Sequence, residues 1–181
     1  SAASPALVRV EERAVSPKLL LPNILQDQKR VWLFPLHLAR GEHWKPTLAV
    51  AAPTAGLVAL DPHDTPYFQR TSAFHDFNRA MSSRKAGLSM WFLPPAFYAV
   101  GLARKDQYAK DTALLGVQAL VDAQVLTVLV KSVNRRVRPR ELPPDGDFAH
   151  TWFKAEGSVI TNRPSFPSGH SMMAFSLATV F

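Results

Sequence analysis

Cysteine is absent from the sequence. That excludes a disulfide scaffold, a thiolate zinc site, an iron–sulfur cluster and a cysteine nucleophile, and leaves the compartment open. Acidic residues are few beside basic ones, 14 against 21, which gives a formal charge of +7 and a pI of about 10.1. Such a balance points to an anionic partner: nucleic acid, a membrane surface or a phosphorylated substrate. No internal repeat and no alternating strand pattern is present, so the chain reads as mostly helical. Low complexity is missing too. Hydrophobic residues at 47% and charged residues at 19% exclude a disordered chain. The 181 residues have room for one domain with a real core.

Residues 1–30 are polar and mixed, and are expected to form a loosely structured N-terminal segment with a short helix around Ile24–Arg30. Residues 31–181 are expected to form the helical domain. Val31–Leu38 is rich in aromatics, which pack against a core or sit at an interface. Four apolar segments follow. Pro46–Leu60 has 15 residues without a charge, and Ala86–Ala103 has 18, interrupted by Pro94-Pro95. Thr112–Val130 has 19 with one acid, Asp122, and is the clearest helix, with Leu and Val recurring at spacings of three and four. The fourth runs from Ser171 to the end. Turn-rich linkers at Asp61-Pro-His-Asp-Thr-Pro and Glu141-Leu-Pro-Pro-Asp-Gly-Asp separate them.

A spanning helix needs about 20 apolar residues. The second segment has a Pro pair in its middle, and the third holds Asp122, Gln118 and Gln124, a carboxylate that would need a partner in lipid. Mean hydropathy is −0.04. The balance favours a soluble or membrane-associated bundle over an integral membrane protein. The chain begins at Ser1 without Met and stops at Phe181 within an apolar run, so a fragment is expected, with any signal peptide removed or not included.

The densest basic cluster, Lys131-Ser-Val-Asn-Arg-Arg-Val-Arg-Pro-Arg, carries five positive charges in ten residues. If the helix from Thr112 continues through it, Lys131, Arg135 and Arg138 share a side, and Pro139 ends the helix near Arg138. Alone, the cluster reads as a solvated helix end matched to the dipole. No aromatic interleaves it and no recognition motif surrounds it, so nucleic acid is not the expected partner. The second site is Pro164-Ser-Phe-Pro-Ser-Gly-His-Ser. Its turn precedes the last apolar run and sets the N–H groups of Gly169, His170 and Ser171 at a helix N-terminus, an anion site. Ser168 and Ser171 add hydroxyls, and His170 sits where an imidazole could pass a proton. Alone, this too reads as an ordinary N-cap turn.

Together and in order, the two sites are similar to those of the type 2 phosphatidic acid phosphatase and vanadium haloperoxidase superfamily. Lys131, Arg138 and Pro139 match its first motif, Lys, six residues, Arg-Pro. Pro167, Ser168, Gly169 and His170 match its second, Pro-Ser-Gly-His. The resemblance covers about Gly87 to Phe181. It implies an all-α helical bundle, C-terminally incomplete, in which Lys131 and Arg138 hold phosphate oxygens, Ser168 and the Gly169 N–H complete the cradle, and His170 protonates the leaving alcohol. No cofactor or metal is implied; vanadate enters only if the haloperoxidase alternative holds.

The superfamily's third motif, Ser-Arg, five residues, His, three residues, Asp, carries the nucleophilic His. Only eleven residues follow His170. Ser83-Arg84 has Met90 where the His should be, and His75-Asp76 and His63-Asp64 precede the first motif; none is expected to serve as nucleophile. His37, His43 and His150 are expected in core or surface roles. The resemblance therefore implies a phosphohydrolase for a phosphomonoester or a lipid phosphate or pyrophosphate, acting through a phosphohistidine supplied from beyond Phe181. The segment alone is expected to be inactive. A bacterial cell envelope, at the periplasmic side, is the implied location. A non-catalytic basic anion-binding module is the alternative of another class.

Overall fold

The structure, a computed structural model, describes residues 13–81, 83–143, 146–156 and 164–181. Among these every long element is helical: α1 (Leu20–Ala39), α2 (Trp44–Arg70), α3 (His75–Met81), α4 (Arg84–Arg104), α5 (Gln107–Asn134) and α6 (Gly169–Ala178). The expected all-α class is the observed one.

The central element is α5. It packs against α4, α6 and α1, and Ala109, Ala113, Leu120 and Ala123 are buried on it. Leu120 meets Met173 and Leu177 of α6 in the core, with Met90 of α4 alongside. Small residues let α4 and α5 approach closely. A Cβ added at Gly101 would lie 3.0 Å from the Lys110 backbone nitrogen and 3.1 Å from the Ala109 Cβ; one at Gly116 would lie 2.8 Å from the Phe181 ring. The hairpin turns at Lys105, in the left-handed region at φ 54°, and Asp106 caps α5 by accepting from the Ala109 N–H at 3.2 Å. We expect Gly101→Ala to destabilise the fold by about 1–3 kcal/mol, although alanine is the better helix former. Chemical denaturation checks this, and unchanged stability would show that the two helices can move apart freely.

Several boundaries differ from the expectations. The N-terminal helix begins at Leu20 and crosses residue 30 unbroken to Ala39. It is preceded by Arg13, whose guanidinium donates to the Asp27 carboxylate and to the Asn23 carbonyl. Residues 1–12, part of the expected loose segment, lie outside the described residues. The Asp61–Pro66 linker is helical: α2 runs through Pro53, Pro62 and Pro66, and α4 likewise runs through Pro94 and Pro95. The freed carbonyls on α2 lie along a helix that is exposed over most of its length, so tertiary burial does not penalise them. Asp122 has a partner, the Gln28 amide of α1 at 2.7 Å.

The aromatic stretch at 31–38 lies on α1 with Trp32 and Leu36 at least half exposed. Large exposed apolar side chains also mark α2 (Leu48, Val50, Leu57) and α4 (Leu88, Phe92, Leu102). Of the helices, α4 and α5 are long and apolar enough to cross a membrane by length and composition.

Candidate anion-binding site

The chain leaves the helix at Arg135, earlier than expected. α5 ends at Asn134, and Arg135 turns the chain in the left-handed region at φ 41°. Non-local hydrogen bonds replace the helical ones. Phe153 N–H donates to the Asn134 carbonyl, Ala155 N–H to Arg135, Val137 N–H to Thr151, and Ser165 N–H to Arg136, all at 2.8–2.9 Å. Lys131 is thus in the last turn of α5, and Arg138 precedes a short 3-10 turn, Pro139–Glu141. Their common orientation comes from a folded-back loop, not from helical register.

That loop joins the two motifs. The Asn134 side-chain amide donates to the Phe166 carbonyl at 2.7 Å, one residue before Pro167. Ser165 donates through its hydroxyl to the Val137 carbonyl at 3.0 Å, besides its N–H bond to Arg136. Arg136 points inward. Its guanidinium pairs with Asp61 of α2 and lies over the Trp152 ring, 5.1 Å from the centroid. Trp152 in turn meets Phe166 edge-on at 5.3 Å.

The second motif caps a helix. Ser168 is the N-cap of α6, its hydroxyl oxygen accepting from the Ser171 N–H at 3.3 Å, and Gly169 and His170 open the first turn. Their N–H groups have no carbonyl within the helix to bond. The His170 ring lies against α4, with Nε2 3.2 Å from the Ser83 carbonyl. A carbonyl only accepts, so Nε2 carries a proton and Nδ1 is left for proton exchange. Gly87 makes room for the ring: a Cβ there would sit 3.2 Å from Nε2.

These parts surround one cleft of about 1330 Å³. Lys131, Arg138, Ser168, Gly169 and His170, the five residues singled out from the motifs, all line it. Of the five charges in the decapeptide, Lys131, Arg138 and Arg140 reach the cleft; Arg136 is buried behind it and the Arg135 Nε donates to the Ala155 carbonyl. Sequence reasoning missed Arg140, and also His75, Asn78 and Arg79 of α3, which line the cleft. Gln124 and Thr127 of α5 line it as well. The spacing of His75, Asn78 and Arg79 at i, i+3 and i+4 was the available signal for one helix face.

Other histidines stay out of the cleft. His37 pairs with Glu42 at 2.8 Å and His150 with Asp147 at 2.7 Å, both at the surface. The His150 hydrogen bond holds the Asp147 carboxyl below its ordinary range. His63 lies on α2, outside the residues lining the cleft. Among the described residues no group of three or more His, Asp or Glu is placed to hold a metal ion.

A family model described as the PAP2 superfamily matches residues 112–181, a span that starts in α5 and includes both motifs. No curated protein matches the chain, and no solved structure does.

Proposed function

We propose that the cleft binds the phosphoryl group of a phosphomonoester or of a lipid phosphate or pyrophosphate and takes part in its hydrolysis, a reading supported by the match of residues 112–181 to the PAP2 superfamily model. The observation that supports this most is the meeting of Lys131 and Arg138 with the N-terminus of α6 and His170 in one cleft. Arg138 offers a planar fork to two phosphate oxygens, and Lys131 a point charge. The Gly169 and His170 N–H groups and the Ser168 hydroxyl complete an anion cradle whose dipole favours the charge that develops in transfer. His170, held through its Nε2–H, gives a proton to the leaving oxygen from Nδ1 when the ring is doubly protonated, and returns to the neutral Nε2–H form. The nucleophile of the phosphohistidine route, which the resemblance places in a third motif, is not found among residues 1–181.

Membrane association fits the same reading. The hairpin of α4 and α5 brings the start of α4, the end of α5 and the start of α6 to one side, where the cleft lies. With the apolar lengths of α4 and α5 in lipid, the cleft sits at the level of the headgroups, where a lipid phosphate is presented. Location at the periplasmic side of a bacterial envelope belongs to this proposal.

Binding tests the cradle without the nucleophile. Orthophosphate is expected to bind this chain and to be displaced by vanadate. In the protein with its nucleophile, phosphate release from p-nitrophenyl phosphate and its block by vanadate are expected. Peroxide-dependent bromide oxidation that requires vanadate would instead give a haloperoxidase. Affinity for polyanions spread over many Lys and Arg residues, with no saturable phosphate site, would give a simple basic binding module.

A further inference from the structure

The corner between α2 and α3 leaves aromatic rings uncovered. Tyr67, Phe68 and Phe77 are each more than half exposed, and Phe74 is nearly so. Tyr67 meets Phe68 edge-on at 5.4 Å, and Phe68 meets Phe74 at 6.0 Å. The Asn78 N–H donates to the Phe74 carbonyl at 2.8 Å, so Phe74 joins the first turn of α3 and neighbours Phe77 at i+3. α3 has seven residues and none of them is buried. Its His75, Asn78 and Arg79 line the cleft, and the helical period sets Phe77 on the other side of the helix. The four rings therefore stand outside both the core and the cleft.

Formal charge and position say what suits this corner. Tyr67–Lys85 holds Arg70, Arg79, Arg84 and Lys85 against one acid, Asp76, a balance of +3. Lys131–Arg140 holds +5, and the two stretches together exceed the +7 of the whole chain, so the remainder is slightly acidic. α3 ends three residues before α4 begins, so the corner is at the same side of the molecule as the cleft. Arg84 and Lys85 open α4 and are exposed. Leu88, Trp91 and Phe92 follow them, also exposed, on one of the two helices long and apolar enough to cross a membrane. Exposed rings and basic side chains at the end of an apolar helix have the composition of a membrane interface. A protein partner would have to cover the corner and the flank of α4 together. A bilayer does so, with headgroups against the corner and chains against α4.

We propose that Tyr67, Phe68, Phe74 and Phe77, with Arg84 and Lys85, form a docking surface for the headgroup region of an anionic lipid bilayer. The proposal rests on the membrane association put forward above and assigns residues and a lipid charge to it. The rings enter the interface, and the basic side chains meet anionic lipid phosphates. α3 then lies along the bilayer surface with its aromatic side in the lipid and its polar side on the cleft. The docked corner holds the mouth of the cleft at the depth where a lipid phosphate is presented. None of these residues takes part in the transfer step.

The chain has no cysteine, so one introduced thiol carries an NBD fluorophore at a single place. Phe77→Cys, Asn78→Cys and Phe92→Cys are labelled in the full chain and bound to vesicles of mixed phosphatidylcholine and phosphatidylglycerol. All three positions are exposed, so the variants keep the fold, which circular dichroism verifies. A lipid with a nitroxide near its headgroup is expected to quench the probe at 77 at least about threefold more than the probe at 78 on the cleft side. A lipid with its nitroxide deep in the chains is expected to quench the probe at 92. In phosphatidylcholine alone, or with Arg84→Ala/Lys85→Ala in the mixed vesicles, quenching at 77 is expected to fall to about half or less. Quenching at 92 with none at 77, equal quenching at 77 and 78, or quenching at 77 indifferent to phosphatidylglycerol would each overturn the docking surface alone. Disulfide-linked dimers of unlabelled Phe77→Cys, in place of quenching, would give the corner to a second copy of the chain. Quenching at none of the three positions would overturn membrane association as well. Orthophosphate titration beside these measurements reads the phosphate cradle separately.

Discussion

Arg138→Ala is expected to weaken orthophosphate binding by about 10- to 100-fold, the loss of a charge-assisted, two-pronged hydrogen bond. The side chain is half-buried at the edge of the cleft. Its backbone is extended at φ −74° and ψ 133°, and its carbonyl accepts from the Glu141 N–H at 2.9 Å. The main-chain bonds of the loop survive the substitution, and thermal unfolding measured beside calorimetry separates the loss of binding from any loss of folding. Arg138→Lys keeps the charge and loses the fork, so it recovers only part of the affinity. Lys131→Ala is expected to fall at the lower end of the same range. Calorimetry with orthophosphate measures all three, and wild-type affinity in Arg138→Ala would remove this residue from the cradle.

A second large effect is expected far from the anion. Asp61→Ala should destabilise the protein by about 3 kcal/mol, as breaking a buried ion pair does by stranding its partner. The Arg136 side chain is 10% exposed and that of Asp61 25%. Without Asp61 the guanidinium keeps a long contact to the Thr151 hydroxyl, 3.4 Å, and the face of Trp152. Neither replaces a carboxylate. The Arg136 carbonyl also accepts from Ser165, next to the second motif, so its displacement loosens the alignment of the two motifs. Phosphate affinity is then expected to fall although Asp61 lies outside the cleft. Asp61→Ala/Arg136→Met, which removes both charges, should recover much of the stability. Urea denaturation reads the sequence of effects, and an Asp61→Ala variant as stable as wild type would show that the pair is not needed to hold α2 to the loop.

The motifs themselves were legible because their chemistry is local. Ser168 before Gly169 and His170 is a capping sequence, and α6 starts there. The apolar period of Thr112–Val130 likewise announces α5. The end of α5 was not legible. Pro139 pointed to an end near Arg138; the hydrogen bonds that accompany the earlier end at Asn134 are made with Thr151, Phe153, Ala155, Ser165 and Phe166. The prolines of α2 pointed to a linker, since their weight on an exposed helix is a tertiary matter. α3 carries no apolar stripe to reveal it, and only the fold brings its polar face to Lys131 and Arg138. Gly87 was silent for the same reason, its partner being 83 positions away.

Gly87 also sets stability against chemistry. Glycine inside a helix is less favourable than alanine by about 1 kcal/mol. Where the imidazole gives way, a library of variants screened for heat tolerance alone would favour a methyl group at this position. That methyl would press on the imidazole Nε2 from 3.2 Å and shift the ring away from the Ser83 carbonyl that fixes its tautomer. Selection for a tougher protein at residue 87 is thus selection against the placement of the proposed proton donor, and a screen of this kind needs a phosphate-ester readout beside the thermal one.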